Sequence, residues 1–152
     1  MSYWLLKSEP SELSISDLAG RPARTESWDG VRNYQARNIL RDGMKPGDLA
    51  FFYHSSCAEP GIVGIARVAS PARPDPTQFQ AGHRHHDPDS DPANPRWYLV
   101  DVQLVRKLRR TITLNELKAH PAIAGMPLLR RGNRLSVMPL SATEWDAILG
   151  LE

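Results

Sequence analysis

The sequence predicts an α+β fold, in which a small mixed β-barrel of about five or six strands carries short flanking helices. Three observations lead to this prediction. The strand-like runs are short and rich in aliphatic and aromatic residues, and the segments with helix-start signals are also short. The strands do not alternate regularly with long helices, which argues against a doubly wound sheet. A chain of 152 residues fits one domain, residues 1–152.

Five runs have the composition of strands. The first is aromatic and aliphatic and is stopped by Pro10, and the second follows a turn at residues 45–48. The third, GIVGIARV, is almost continuously apolar, which indicates burial on both faces. The predicted strands are residues 3–7, 49–54, 61–68, 97–108 and 134–138.

Four short helices are predicted from their start signals. A hydroxyl residue followed three positions later by a carboxylate is a capping box, and it opens three helices: Ser14 with Asp17, Thr113 with Glu116 and Ser141 with Glu144. The fourth helix is expected at about residues 31–41, with Ser27 or Asp29 as its N-cap and Gly43 as its C-terminal signal. Residues 71–96 are rich in proline and lack hydrophobic periodicity, so we expect a long surface loop.

Composition and charge exclude some classes of protein. The formal net charge is +2 and the pI is about 8.9, which is too weakly basic to indicate nucleic-acid binding alone. The single cysteine, Cys57, excludes an internal disulfide framework. No secretory leader or membrane-length apolar run is present, so we expect a cytoplasmic protein, nucleoid-associated if bacterial.

The stretch from Trp28 to Asn38 carries the strongest functional signal. It combines an aromatic ring, a carboxylate, a glycine, two arginines and several amides at a predicted helix entrance. These groups suit recognition of a flat, hydrogen-bonding ligand, and none of them is an activated nucleophile.

At this stretch and several others the chain closely resembles the EVE domain family. The matching runs are YWLLKSEP (3–10), WDGVRN (28–33), ARN (36–38), GD (47–48), FYHS (52–55), IVGI (62–65) and RLSV (134–137). The resemblance implies a PUA-like barrel and a reader of modified bases, particularly modified cytosines in DNA. It implies no cofactor, and the expected partner is nucleic acid carrying a modified base, DNA rather than RNA.

A modified base inside a duplex must leave the stack before a protein pocket can enclose it, so such a reader needs stacking and edge-reading groups. Trp28 and Tyr53 are the candidates for stacking, although both also suit an apolar core. Asp29 can accept from an exocyclic amino group, or it can cap the helix instead. The other candidates for the base pocket are Ser8, Gly30, Val31, Arg32, Asn33, His54 and Ser55.

Two groups of donors have expected roles in the pocket. Ser8 is expected to donate to a ring carbonyl, and the amides of residues 30–32 are expected to bind an anionic or carbonyl oxygen at a helix N-terminus.

Basic residues are candidates for contacts with phosphate. Arg32 is a phosphate candidate as well as a pocket residue. The remaining phosphate candidates are Lys7, Arg37, Arg109, Arg130, Arg131 and Arg134.

Three other interpretations stay open. His54 and Cys57 lie close enough in sequence for nucleophilic catalysis, although no activating environment is evident. His83, His85, His86 and the nearby aspartates could gather a metal ion, but their loop is proline-rich, so no metal site is expected. The same pocket groups would also serve a small nucleoside-like molecule or an accessory domain in RNA modification.

Overall fold

The computed structural model describes residues 1–152, and its main feature is a curled sheet of six strands that forms half of a barrel. The strands are β1 (Tyr3–Ser8), β2 (Thr25–Ser27), β3 (Leu49–His54), β4 (Gly61–Val68), β5 (Arg73–Pro74), β6 (Tyr98–Leu99), β7 (Asp101–Thr113) and β8 (Val137–Leu140). The helices are α1 (Ile15–Gly20), α2 (Tyr34–Asn38), α3 (Leu114–Ala119) and α4 (Ala142–Leu149). The predicted α+β class is confirmed.

Parallel and antiparallel pairs are mixed in the large sheet. Its order is β2-β7-β4-β3-β1-β8, in which β1 and β3 run parallel and all other neighbours run antiparallel. Strands β5 and β6 form a separate two-stranded sheet. None of the helices is both long and apolar enough to cross a membrane.

Two apolar layers cover the two faces of the sheet, because side chains alternate along each strand. We call the layer that contains Trp4, Leu6, Trp28 and Phe52 the front core. The layer that contains Leu5, Phe51, Tyr53, Ile112 and Trp145 is the rear core. Residues 51 and 53 therefore face the opposite side of the sheet from residue 52.

The local start signals are accurate for three helices. The capping boxes at Ser14, Thr113 and Ser141 are all present, each with both of its reciprocal hydrogen bonds. The last long strand extends further than predicted, to Thr113, and the register of its pairing with β4 shifts at two places. Residues 25–27, which are not among the predicted strands, form β2 at the edge of the sheet.

The second helix begins later than the sequence predicts. Helix α2 starts at Tyr34 and continues as a π-helical turn, Ile39–Gly43, and its N-cap is Asn33 instead of Ser27 or Asp29. Residues 28–33 are held in a non-helical path, because Gly30 has a φ of +78° and Val31 is buried in the front core. The expected caps are therefore wrong, and Asp29 has no capping role.

The 71–96 segment, expected to be a long surface loop, is in part packed firmly on the body. It contains β5 and a 3₁₀ turn at Pro76–Phe79. Its buried polar residues are Asp75, Thr77, Gln78 and Ser90. Every one of them is hydrogen-bonded, as buried polar groups must be for the loop to remain stable.

Candidate functional site

A cleft of about 610 Å³ opens where the end of β1, the β2–α2 connection and the 71–96 loop meet. Its apolar lining comes from Leu13, Trp28 and Val31, and the rest is polar or charged. The polar lining residues are Lys7, Ser8, Glu9, Glu12, Arg21, Glu26, Ser27, Asp29, Arg32, Asn33, Ser55, Arg84, His85, Arg134 and Ser136, with Gly30 also at the wall. The cleft thus has the composition of a site for a polar, partly aromatic ligand.

Trp28 belongs to both the front core and the cleft wall. It is only 8% exposed, and its aromatic contact is an edge-on one with Phe52, with ring centroids 6.0 Å apart and planes at 88°. Its backbone N–H donates to the carbonyl of Val100, which fixes this part of the connection. The indole N–H has no partner in the protein, and no fully buried polar atom lacks one, so this N–H reaches solvent.

Asp29, like Glu9, is a cleft carboxylate that is free to accept from a ligand. Its carboxylate takes part in no hydrogen bond or ion pair within the protein. Partial burial, and then the negative charge of Asp75, raise the pKa of Asp29 above its ordinary value. An unpaired carboxylate at a cleft wall is a candidate for recognition of an amino group.

Asn33 and Ser8 each have one of their polar functions already used. The side-chain oxygen of Asn33 accepts from the N–H of Ala36 at 3.0 Å as the cap of α2, which leaves its amide NH₂ without a partner. The Ser8 hydroxyl donates to the carbonyl of Leu13 at 2.7 Å. Ser8 therefore presents an acceptor to the cleft, and the expected donation to a ring carbonyl does not fit.

Arg32 fastens the 71–96 loop to the cleft wall, a role that the sequence did not reveal. Its guanidinium donates to the Asp75 carboxylate at 3.1 Å, to the Thr77 hydroxyl at 3.1 Å and to the His85 carbonyl at 2.6 Å. It also lies over the ring of Trp97, 5.5 Å from the centroid. With its donors engaged in this way, Arg32 is a poor candidate for a phosphate contact.

Asp75 is the buried centre of this arrangement. It is 0% exposed, and it accepts from the backbone N–H of Gly30 at 2.8 Å and from Thr77 at 2.6 Å. Burial favours a raised pKa, but the hydrogen bonds from Thr77, Gly30 and Arg32 outweigh it and lower the pKa of Asp75. The Gly30 amide is therefore used inside the protein, and no helix N-terminus lies there for an anion. A local signal did exist, because Asp75 precedes proline and caps the 3₁₀ turn.

Gly30 also allows the loop to approach closely. A side chain at this position would bring a Cβ within 2.6 Å of the His85 imidazole. His85 lines the cleft, and burial, followed by the charges of Arg84 and Arg32, lowers the pKa of its imidazole. No group of three or more His, Cys, Asp or Glu side chains is placed to hold a metal ion.

Tyr53 and His54 do not line the cleft. Tyr53 is 3% exposed in the rear core, on the opposite face of the sheet from Trp28, and burial raises its pKa to about 12. The expected sandwich of Trp28 and Tyr53 is therefore wrong for this cleft. His54 accepts the N–H of Ile15 at 3.0 Å on Nε2, and burial lowers its pKa. Ser55 does reach the wall, where its backbone N–H donates to the Ser8 carbonyl.

The predicted phosphate residues fall into three groups. Arg37 and Arg109 do not line the cleft. Arg37 donates to the Arg96 carbonyl at 2.7 Å and lies over the ring of Tyr34, and Arg109 is on β7. Lys7 and Arg134 line the cleft, and neither forms an ion pair. Arg130, Arg131 and Arg134 line a second hollow of about 580 Å³ next to it.

Two further ion pairs at the cleft were not anticipated. Arg84 of the loop pairs with Glu12, and Arg21 pairs with Glu26 at 2.7 Å. All four residues line the cleft. Arg84 and Glu12 are 72 positions apart in the sequence, so no short motif could have signalled their pairing.

Comparison with known proteins shows the family of the chain. The family model of the EVE domain matches residues 2–151. Thymocyte nuclear protein 1 of Homo sapiens is 49% identical over 168 residues, which cover 99% of this chain and 74% of that protein. The thymocyte nuclear protein 1 of Danio rerio is 46% identical, with 99% of this chain and 72% of that protein covered.

Among solved structures, that of human THYN1 in complex with 5-methylcytosine-containing DNA has a TM-score of 0.94 and 46% sequence identity. The match covers 99% of this chain and 97% of that one. These similarities extend over the sheet, the cleft and the loop together.

Proposed function

Because the chain belongs to the EVE domain family, we propose that it is a non-enzymatic DNA-binding protein that reads a modified cytosine, with 5-methylcytosine as the first candidate. The base is proposed to leave the duplex and to enter the 610 Å³ cleft. The main support is the similarity over 99% of the chain to a protein whose structure was solved with 5-methylcytosine-containing DNA.

Trp28 is proposed to stack on the flipped base. Extrusion of a base costs a few kcal/mol, and stacking on an aromatic side chain returns about 1–3 kcal/mol. Trp28 lines the cleft and has only an edge-on contact with Phe52, so no aromatic side chain is stacked on its ring. Leu13 and Val31 supply the remaining apolar lining, against which a 5-methyl group would lie.

Asp29 and Asn33 are proposed to read the edge of the base. An unpaired carboxylate accepts well from the N4 amino group of cytosine, and Asp29 has no competing partner in the protein. The free amide NH₂ of Asn33 is a donor that suits the ring carbonyl. Ser8 contributes an acceptor, because its hydroxyl hydrogen is held by Leu13.

A binding role suits these groups better than catalysis does. His54 uses Nε2 to accept from Ile15, so that nitrogen is not free to activate Cys57. Neither His54 nor Cys57 lines the cleft, where the base is proposed to lie.

The second candidate function is binding of a free nucleoside, which would use the same cleft. The basic hollow beside the cleft favours a polymer instead, because Arg130, Arg131 and Arg134 line it and a nucleoside carries no phosphate. Arg37 and Arg109 are removed from the proposed phosphate contacts, since neither lies at the cleft or at this hollow.

A titration with matched duplexes tests the proposal. The duplexes differ in one base, which is cytosine, 5-methylcytosine, 5-hydroxymethylcytosine or N6-methyladenine, and each is measured at two salt concentrations. We expect at least a ten-fold preference for a modified cytosine, about 1.4 kcal/mol. Equal affinity for all four duplexes would contradict the reader function. Binding of 5-methylcytidine with no binding of any duplex would favour the nucleoside pocket, and a matched RNA duplex serves as the polymer control.

A further inference from the structure

The hollow beside the cleft has an unusual charge. We call it the basic groove; it is lined by Asn33, Gln35, Pro127, Arg130, Arg131, Gly132, Asn133, Arg134, Leu135 and Pro139. Three of these residues are arginines and none is acidic. Asn33 and Arg134 line both the groove and the cleft, so the two hollows are continuous.

The arginines of the groove are free, whereas other arginines at the cleft are paired. Arg130, Arg131 and Arg134 are exposed, and none of their side chains forms an ion pair or a hydrogen bond within the protein. By contrast, Arg84 is paired with Glu12 and Arg21 with Glu26. Positive charge is therefore unneutralised on one side of the cleft and largely neutralised elsewhere on its rim.

Lys7 adds to the same side. It lines the cleft without an ion-pair partner, and its backbone N–H donates to the Ser136 carbonyl at 2.8 Å, two residues from Arg134. The unpaired cations at the cleft and groove are thus Lys7, Arg134, Arg130 and Arg131 in one continuous zone. Such a zone attracts a polyanion through the release of its counterions.

We propose that the protein holds only one of the two flanks of the DNA strand that carries the bound base, and that this flank runs past Arg134 and through the basic groove. This inference rests on the proposed function, since it takes the base to lie in the cleft. The phosphates on that side of the base contact Arg134, Arg130 and Arg131, and those on the other side contact no free arginine. The minimal ligand is then a modified nucleotide with a flank on one side.

Placement of the base at the ends of a short strand tests this directly. Three thymidine hexamers carry one 5-methylcytosine at the 5′ end, at the centre or at the 3′ end, and fluorescence anisotropy gives their Kd values. We expect one end placement to bind within about two-fold of the central placement and the other at least ten-fold more weakly. Equal affinity of the two end placements would overturn the one-sided path.

A triple variant, Arg130→Gln with Arg131→Gln and Arg134→Gln, connects the asymmetry to the groove. This variant should bind the hexamers with 5-methylcytosine at the 5′ end and at the 3′ end with equal affinity. Each phosphate contact on a single strand contributes about 0.7 to the slope of log K against log salt, so the slope should fall by about 2. The matched control changes three exposed arginines outside both hollows, Arg24, Arg67 and Arg109, to Gln, and should keep both properties. Retention of the asymmetry and the slope by the groove variant would overturn the inference.

The same titrations separate this inference from the proposed function. One outcome is a preference for 5-methylcytosine over cytosine with the same slope of log K against log salt in the wild type and the groove variant. It would overturn the phosphate-binding role of the groove and leave the reader function intact. Equal affinity for the two bases, with a slope that falls in the groove variant, would overturn the reader function and keep the groove as a phosphate site.

Discussion

Trp28 and Trp145 are both buried tryptophans, packed on opposite faces of the same sheet, yet their rings have different surroundings. Trp145 is stacked on Phe51 with centroids 3.9 Å apart, and on Tyr3 at 4.6 Å. The only aromatic contact of Trp28 is the edge-on one with Phe52, and Trp28 also lines the cleft. Both rings are buried, so burial alone does not separate their roles. The proposed stacking role of Trp28 is supported because no aromatic side chain of the protein is stacked on its ring.

The front core and the rear core also differ in the charged residues that border them. The rear core is made of apolar and aromatic residues, whereas the front core borders Asp29, a carboxylate with no partner and a raised pKa. An unpaired, partly desolvated charge destabilises the folded protein. The front side of the sheet thus carries a cost in stability that agrees with the proposed binding role of Asp29.

Replacement of Trp145 by alanine should have the largest effect on stability. Loss of a stacked, buried tryptophan costs about 3–5 kcal/mol in the free energy of unfolding. Urea denaturation followed by circular dichroism measures this change. The folded fraction should keep its preference for 5-methylcytosine, since Trp145 lies on the far side of the sheet from the cleft. A cost below about 1 kcal/mol would contradict the structural role of its ring.

Asp75→Asn should come next, because it breaks the buried contact that joins the loop to the cleft wall. Removal of one partner from a buried ion pair costs about 3 kcal/mol. The pKa of Asp75 is lowered by folding, so its contribution is present above the unfolded pKa and is lost as pH falls through the folded pKa. The difference in unfolding free energy between wild type and variant should therefore shrink in acid. A difference that is independent of pH would contradict this account.

Trp28→Leu should mainly impair binding. Loss of base stacking costs about 1–3 kcal/mol, which is roughly 5- to 150-fold in Kd for 5-methylcytosine duplexes. The unfolding free energy should fall by less than in Trp145→Ala, because leucine keeps part of the apolar volume. Trp28→Phe is the control that retains an aromatic face, and it should recover part of the affinity. Normal binding by Trp28→Leu would make Trp28 a purely structural residue.

Asp29→Asn should have opposite effects on stability and on binding. Folding raises the pKa of Asp29, so its ionised form destabilises the protein above the folded pKa, and the variant should be more stable at neutral pH by under about 1 kcal/mol. That gain should vanish below the unfolded pKa, where both side chains are neutral. Affinity for 5-methylcytosine should fall about ten-fold, since an amide is a poorer acceptor for the amino group. Unchanged affinity would exclude Asp29 from base reading.

Local signals in the sequence were sufficient for much of the fold. The capping boxes at Ser14, Thr113 and Ser141 depend on residues three positions apart, so they are legible without tertiary information. Period-two alternation along a strand is equally local, and it puts residues 51 and 53 on the opposite face from residue 52. That alternation separates Tyr53 from Trp28, in the rear and front cores respectively.

The errors at the second helix and at Arg32 have a common physical origin in contacts between distant residues. Helix α2 starts late because the Gly30 amide donates to Asp75, 45 positions away. Arg32 donates to the same Asp75 carboxylate, so its guanidinium holds the loop and is not free to bind phosphate. Because the helix starts late, Asp29 does not have its expected role as the cap. Sequence periodicity cannot show which of several equally suitable carboxylates an amide will meet. The cleft residues were therefore largely identifiable, but their individual roles were not.

The measurement that most directly tests the central claim is the NMR response of the tryptophan indoles to DNA. Trp28 and Trp145 both lack a hydrogen-bond partner for the indole N–H, so they form a matched pair within one molecule. Titration with an oligonucleotide that carries 5-methylcytosine should shift the indole cross-peak of Trp28, assigned through Trp28→Phe, and leave that of Trp145 in place. The cytosine oligonucleotide should give a smaller shift at equal concentration. A Trp28 cross-peak that stays fixed while DNA binds would contradict the cleft as the site where the base is read.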